Sequence, residues 1–367
     1  MRPTTATPST ASAQPMRHGI SLLPDCRRHS RSAGAYYRDV LALTRFADRA
    51  GIDYVKMTEH YLGEYGGYCP SPLTFLAAAA ARTRNIRLMT GATLPAFHHP
   101  VQLAAHIAMV DALSDGRLDV GLGRAWLPYE FEALGVPIDE SRPRFEATTQ
   151  AMIRLWTEER VTEETPYFSY RDATSLPPVT QDPHPPLWGA AVRSPESFGW
   201  LGRNGFGVML ALAPLKKDVG VSRYVIDLYR EAFTPGAGAH AGPRIALSTP
   251  LYVAATDDEA YRTAEPFYRE YMAVWSEAAA SWTTTRSSQY AGYEAMGAHA
   301  HQLTDFDVRR HGTAVIGSPG TVADRIRELR EEYGVDTFLW QVDFGGQNLA
   351  QMMSSMRLYT DKVLPRL

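Results

Sequence analysis

From Arg17 onward, short apolar runs alternate with longer amphipathic segments, and this alternation restricts the fold more than any other feature of the 367 residues. Strands that alternate with helical patterns are typical of repeated βα units around a parallel sheet. Eight apolar runs are predicted to be strands: 18–23, 54–58, 86–90, 118–121, 187–190, 207–210, 245–253 and 337–342. Eight such units predict an α/β protein whose fold is a (β/α)8 TIM barrel.

Two segments interrupt the alternation and are predicted to be insertions. Residues 159–186, after the fourth strand, are rich in Thr, Tyr and Pro, and Tyr167, Phe168 and Tyr170 favour a small hairpin. Residues 281–312, before the eighth strand, are polar and irregular, which is more typical of a mobile lid loop than of a linker. Residues 1–15 predict a disordered tail, and 16–367 a single barrel domain.

The composition argues against several classes of partner and site. Lys and Arg number 37 against 40 Asp and Glu, so a net charge of −3 offers no basic field for nucleic acid or an anionic membrane. Cys26 and Cys69 are too few for a disulfide framework, and no zinc spacing accompanies them. His98 and His99 are adjacent and therefore diverge, so a structural loop role is favoured and no metal site is predicted. No secretory signal or spanning segment is recognised, and a cytoplasmic location is expected.

In a barrel of this kind, the residues directly after each strand are the candidates for chemistry, because active sites lie at the carboxyl ends of the strands. Polar and small residues concentrate at six of these positions: 23–25, 58–61, 91–93, 123–126, 191–194 and 341–344. The sequence therefore predicts a site at one end of the barrel that draws on several strands.

These same positions carry a resemblance to a known family. Four runs match in the family's order and at barrel-compatible spacing: TEHY (58–61), TGATLPAFHHP (90–100), DALSDGRLDVGLGRAWLPYEFEALGV (111–136) and FLWQVDFGG (338–346). They resemble the bacterial luciferase-like, flavin-dependent monooxygenases over nearly the whole chain from Arg17. The resemblance implies a (β/α)8 barrel that binds reduced FMN delivered by a separate NAD(P)H-dependent flavin reductase. It further implies that a flavin C4a-peroxide formed with O2 oxidises an organic substrate such as an aldehyde, a ketone or a secondary metabolite.

The resemblance also assigns residues. His60 matches the active-site histidine after the second strand, where it would donate or accept a proton. The peptide between Gly91 and Ala92 falls where the family often has a cis bond beneath the isoalloxazine ring. Four residues match those that bind the FMN phosphate: Arg124, Arg142, Ser194 and Ser197.

The residues themselves support a phosphate site after the fifth strand. Ser194 followed by Pro195 is a helix N-cap with proline in the first turn, which leaves free backbone N–H groups and the positive end of the helix facing the barrel mouth. Arg124 can add a charge-assisted contact, and Arg142 lies at a helix start where a cation is unfavourable without an anion. A second capped start, 317–321, is an alternative anion site, because barrel phosphates commonly bind near strands seven and eight.

Other positions have less specific interpretations. Glu59 is expected to orient the site or to pair with a cation, and Trp126 and Trp340 either belong to the core or line an apolar pocket. The aromatic segment 65–68 after His60 favours a substrate bulkier than a straight-chain aldehyde.

Two departures from the luciferases bear on function. Tyr61 stands where they commonly have a second histidine, and Gly123 replaces their reactive cysteine, so light emission is not expected. An F420-dependent dehydrogenase or reductase on the same fold is the alternative, although its acidic tail requires basic residues and lysine is scarce here. A non-catalytic flavin-binding protein is a further alternative. The resemblance implies a homodimer, and the small residues of the predicted helix 72–83 favour close packing across a two-fold axis.

Overall fold

The computed structural model describes residues 15–211, 223–300 and 307–367, except the side chains of residues 299 and 300. Its strands are β1 (Arg17–Leu22), β2 (Tyr54–Met57), β3 (Arg87–Thr90), β4 (Leu118–Leu122), β5 (Val161–Glu164), β6 (Ser169–Ala173), β7 (Leu187–Ala191), β8 (Gly207–Ala211), β9 (Ile245–Val253), β10 (Val315–Gly317) and β11 (Thr337–Gln341). Most of residues 1–15, which were predicted to be a disordered tail, lie outside the described ranges.

Eight of these strands close into a parallel barrel. The order β11-β1-β2-β3-β4-β7-β8 continues to β9, which pairs with both β8 and β11 and so completes the ring. The predicted (β/α)8 barrel is thus confirmed, and each of the eight predicted strands is present to within two residues at either end.

The helices follow the expected alternation. They are α1 (Ala33–Arg49), α2 (Pro72–Ala80), α3 (Pro100–Leu113), α4 (Pro128–Ala133), α5 (Ser141–Thr157), α6 (Pro195–Arg203), α7 (Arg223–Ala232), α8 (Asp257–Ala279), α9 (Tyr293–Ala300), α10 (Val308–His311), α11 (Pro319–Tyr333) and α12 (Leu349–Leu358). Local sequence explains their limits: Ser32 caps α1, Asn348 and Gln351 form a capping box on α12, and Gly334 ends α11 with φ +66°.

Two apolar layers hold the barrel together. Inside it, Tyr54, Met89, Trp188, Met209, Ala246 and Leu339 form one cluster. Outside it, alternate strand residues such as Val55 and Leu88 pack against the helices in a larger cluster. The tightly filled interior leaves the carboxyl ends of the strands as the place for a ligand.

The two predicted insertions differ in outcome. The hairpin within 159–186 is confirmed, since β5 and β6 pair antiparallel. The expectation that 281–312 is irregular was wrong for its described part, which contains two 3-10 turns (Ala280–Thr283 and Ser288–Tyr290) together with α9 and α10. These elements are too short to give a clear hydrophobic period, and residues 301–306 lie outside the described ranges. A mobile lid in this segment stays a prediction.

Two short elements of the structure were not predicted from the sequence. Strand β10 lies where only a helix cap was expected, and it pairs in parallel with the last three residues of β9. Helix α4, one and a half turns long, was not recognised in 128–133.

In the described part of the chain, no helix has both the length and the apolar character needed to cross a bilayer.

Candidate active site

The backbone segments that follow β3 and β4 lie close together. The peptide bond between Gly91 and Ala92 is cis, as the resemblance led us to expect. The side chain of Lys56 occupies the space that a Cβ on Gly91 would need, and a Cβ on Gly123 would approach that of Ala92 to 3.0 Å. Glycine at these two positions therefore makes room for the side chains of Lys56 and Ala92.

His60 lies after β2 in a buried position with one nitrogen engaged. Its Nδ1 is 3.1 Å from Oε1 of Glu130, its backbone N–H donates to the carbonyl of Cys69, and its ring lies 5.2 Å from that of Tyr65. Because Nδ1 faces a carboxylate, the Nε2 edge is the one available to exchange a proton with a ligand.

Glu130 is a site residue that the sequence analysis missed. It lies on α4, is wholly buried, and its Oε1 also accepts a hydrogen bond of 2.7 Å from the backbone N–H of Tyr61. Its Oε2 is buried and has no hydrogen-bond partner in the described part of the chain. Pro128, in the first turn of α4, was the available signal of a helix here.

Glu59 fixes the loop that follows β3 and does not face a ligand directly. Its carboxylate accepts hydrogen bonds from the Tyr61 hydroxyl (2.6 Å), from the Leu94 N–H (3.2 Å) and from Thr93, and it lies 2.7 Å from Nε2 of His98. Burial disfavours the charged form of His98, but the bond and the charge of Glu59 outweigh it and raise the pKa of His98. The orienting role expected for Glu59 fits these contacts.

Aromatic side chains cover the mouth on the His60 side. The Tyr65 ring lies 5.8 Å from that of Trp126 and 6.5 Å from that of Tyr271, and Trp275 packs in the same group. Trp126 therefore packs with the aromatic side chains beside His60, whereas Trp340 is a core residue that donates a hydrogen bond to the Tyr359 hydroxyl. The aromatic residues of the hairpin do not join this group, since Phe168 and Tyr170 pack against His99.

The four predicted phosphate residues come together at the start of α6. Ser194 caps this helix by accepting from the Ser197 N–H, and Nη2 of Arg142 lies 3.5 Å from both serine hydroxyls. Burial and the nearby charge of Arg124 lower the pKa of Arg142. Glu196, which pairs with Arg142 at 3.2 Å, is 80% exposed and therefore offers it only weak compensation.

Arg124 contributes the clearest sign of a missing partner. Its Nη1 is buried and finds no hydrogen-bond partner within the described ranges, and its guanidinium lies 4.9 Å from the centre of the Tyr290 ring. The Tyr290 hydroxyl in turn donates to the Ala125 carbonyl at 2.8 Å, and the indole N–H of Trp282 donates to the Trp126 carbonyl at 2.9 Å. A guanidinium with one buried and unmatched donor nitrogen, next to a second arginine, fits a phosphate group.

The alternative anion site at 317–321 is already occupied by the protein itself. The carboxylate of Asp257 accepts a hydrogen bond of 2.6 Å from the backbone N–H of Ser318 and one of 3.0 Å from the Thr321 hydroxyl. These bonds lower the pKa of Asp257, which keeps it charged. The start of α11 therefore has an internal anion, and the start of α6 is the better phosphate site. Across the described residues, no group of three or more His, Cys, Asp or Glu side chains is placed to hold a metal ion.

Comparison with known proteins gives a consistent picture. Monooxygenase RslO1 from Streptomyces bottropensis is 36% identical, with a TM-score of 0.79 over 95% of this chain and 99% of its own. The oxygenase component of the flavin-dependent trigonelline monooxygenase of Acinetobacter baylyi is 26% identical over 90% of this chain and 89% of its own length. The oxygenating constituent of 3,6-diketocamphane monooxygenase from Pseudomonas putida, solved in complex with FMN, is 21% identical, with a TM-score of 0.74 over 96% and 99%.

F420-dependent enzymes also occur among solved structures of this fold, but at 20% identity or less they show the fold alone. The profile of the luciferase-like monooxygenases matches residues 16–337, which is most of the chain. This chain therefore belongs to the luciferase-like monooxygenase family.

Proposed function

We propose that this chain is the oxygenase component of a two-component monooxygenase that uses reduced FMN and O2 to oxidise an organic substrate. The observation that carries the proposal is the buried, unpartnered Nη1 of Arg124 beside Arg142 and the start of α6. A separate NAD(P)H-dependent reductase would supply the reduced FMN, in keeping with the Acinetobacter relative, which is an oxygenase component.

The residues present suit each end of FMN. The phosphate would be held by Arg124, Arg142 and the hydroxyls of Ser194 and Ser197, and the ring would lie along Gly91 and Ala92. When bound, reduced FMN would supply the electrons that activate O2.

The protein's own part in the reaction is to manage a proton and to exclude water. His60 would hold or release a proton at Nε2, while Glu130 at Nδ1 fixes the orientation and tautomer of the ring. The rings of Tyr65, Trp126 and Trp275 would keep water from the reacting oxygen, since water favours unproductive release of hydrogen peroxide. The same aromatic side chains would determine which substrate binds, and they suit an apolar or aromatic organic compound.

The first experiment is to mix the protein, loaded anaerobically with reduced FMN, with oxygenated buffer in a stopped-flow instrument. We expect hydrogen peroxide to appear more slowly than reduced FMN is consumed, because the site shields the activated oxygen. In the control, free reduced FMN should release peroxide as fast as it is oxidised.

The outcomes separate the three functions considered. Peroxide release that matches the free cofactor would contradict the oxygenase. Reduction of F420 by an alcohol would then identify a dehydrogenase, and flavin retention with neither reaction would identify a non-catalytic flavin-binding protein.

We further propose a homodimer formed through α2 and α3. Met109 and Leu113 lie one turn apart on α3 and are 49% and 56% exposed, although both are large and apolar. Such a pair is suited to a subunit contact. We expect a dimer by sedimentation at micromolar concentration and a monomer for Leu113→Glu. Leu176→Glu, at a residue 71% exposed after the hairpin, is the matched control and should remain dimeric. A monomeric unmodified protein would contradict the proposal.

A further inference from the structure

Lys56 is a buried lysine that the proposed chemistry has not yet used. It lies on β2 with its side chain inside the barrel, and only 7% of the residue is exposed. Lysines are rarely buried this completely unless they are paired, because removing an ammonium from water is costly.

The ammonium has no counter-ion among the residues that the structure describes. Within residues 15–211, 223–300 and 307–367, its one hydrogen bond is a long one, 3.4 Å, to the hydroxyl of Ser248, which itself donates to Ser21. The acid that acts on it most, Asp343, uses its two oxygens to accept from the Leu23 N–H and the Tyr36 hydroxyl. Burial lowers the pKa of Lys56 to about 8, so the ammonium still predominates at neutral pH.

A second unmatched donor lies in the same row of the barrel. Gln341, Ser21 and Lys56 occupy the same register on the neighbouring strands β11, β1 and β2. The side-chain amide nitrogen of Gln341 is buried, and none of the described residues accepts a hydrogen bond from it. An uncompensated cation and a free amide donor in one row require an acceptor that carries negative charge.

The position of this row indicates what the acceptor is. The stem of Lys56 packs directly against Gly91, whose cis peptide marks the proposed place of the flavin ring. Reduction adds electrons to that ring and leaves it negatively charged when its N1 proton is lost. Charges near this part of the ring set the balance between the oxidised and reduced forms.

We infer that Lys56, aided by Gln341, is a positioning residue that recognises the negative charge of the reduced flavin ring and so makes the site prefer reduced over oxidised FMN. The inference rests on the proposed function, since it requires FMN at the barrel mouth. It gives the oxygenase a means to take reduced FMN from the reductase while oxidised FMN leaves.

The test compares the unmodified protein with Lys56→Met, which keeps the length of the side chain and removes its charge. Affinity is measured for oxidised FMN and, anaerobically, for reduced FMN, together with the midpoint potential of the bound cofactor. We expect the variant to lose at least about tenfold in its preference for reduced FMN. A tenfold loss corresponds to a midpoint potential about 30 mV more negative for a two-electron couple.

Two controls keep the test decisive. Lys362→Met removes the same charge from an exposed position and should change neither quantity. Thermal unfolding of ligand-free Lys56→Met should occur at the same or a higher temperature, because the variant removes an unpaired buried charge. Equal weakening of both FMN forms, or an unchanged potential, would overturn the inference alone. If the unmodified protein binds neither form of FMN, the proposed function fails and the inference fails with it.

Discussion

Arg124→Met is expected to weaken FMN binding by roughly 30- to 3,000-fold and to remove the preference for FMN over riboflavin. The magnitude follows from the loss of one partner of a buried charge pair, which costs about 2–5 kcal/mol, with each 1.4 kcal/mol equal to about tenfold in affinity. The physical reason is that Nη1 of Arg124 has no hydrogen-bond partner among the residues that the structure describes, so it can donate to the phosphate.

The measurement is fluorescence titration of both flavins with the variant and with the unmodified protein. Arg160→Met, in the exposed hairpin where Arg160 pairs with Asp172, removes the same charge far from α6 and should leave both affinities unchanged. An equal loss of FMN and riboflavin binding would show that Arg124 supports the fold and does not contact phosphate.

His60→Ala is expected to lower turnover by about 10²- to 10⁴-fold, the range typical of a lost general acid or base. Affinity for FMN should change little, because the proposed phosphate contacts are on α6, α5 and the loop after β4. Single-turnover rates with an accepted substrate, measured beside FMN titrations, separate the two effects.

Glu130→Gln tests the same proton transfer through the residue that contacts His60. The amide can still contact Nδ1 of His60 but lacks the carboxylate charge, so we expect a smaller loss of turnover and a changed pH profile. His29→Ala, at an exposed histidine, is the neutral control.

If turnover and FMN affinity fall together in His60→Ala, the histidine has a packing role and the proton assignment is wrong.

The barrel could be predicted because its strands are buried on both sides and therefore appear as continuous apolar runs. Short elements escaped the same reasoning. Strand β10 has three residues and α4 has six, and neither length gives a recognisable period. Because α4 was not predicted, the contact between Glu130 and His60 could not be predicted either, although Glu130 lies within the run 111–136 that resembles the family.

The site was predictable where chemistry follows from local sequence. A serine followed by proline predicts a capped helix start, and the structure has this start at Ser194, where the phosphate position is proposed. The sequence did not distinguish this start from the one at Ser318, because the carboxylate that fills the latter belongs to Asp257, some 60 residues away. Lys56 was equally hidden, since its burial depends on the closure of the whole barrel.

The contacts of Tyr290 and Trp282 bear on the order in which ligands enter. Both residues fasten the segment after α8 to the backbone of residues 124–126, and the Tyr290 ring rests on the same guanidinium that is proposed to bind phosphate. A phosphate that draws on Arg124 therefore alters the support of this segment beside the mouth. In the proposed complex, a single guanidinium would thus connect the cofactor phosphate to the segment 280–290.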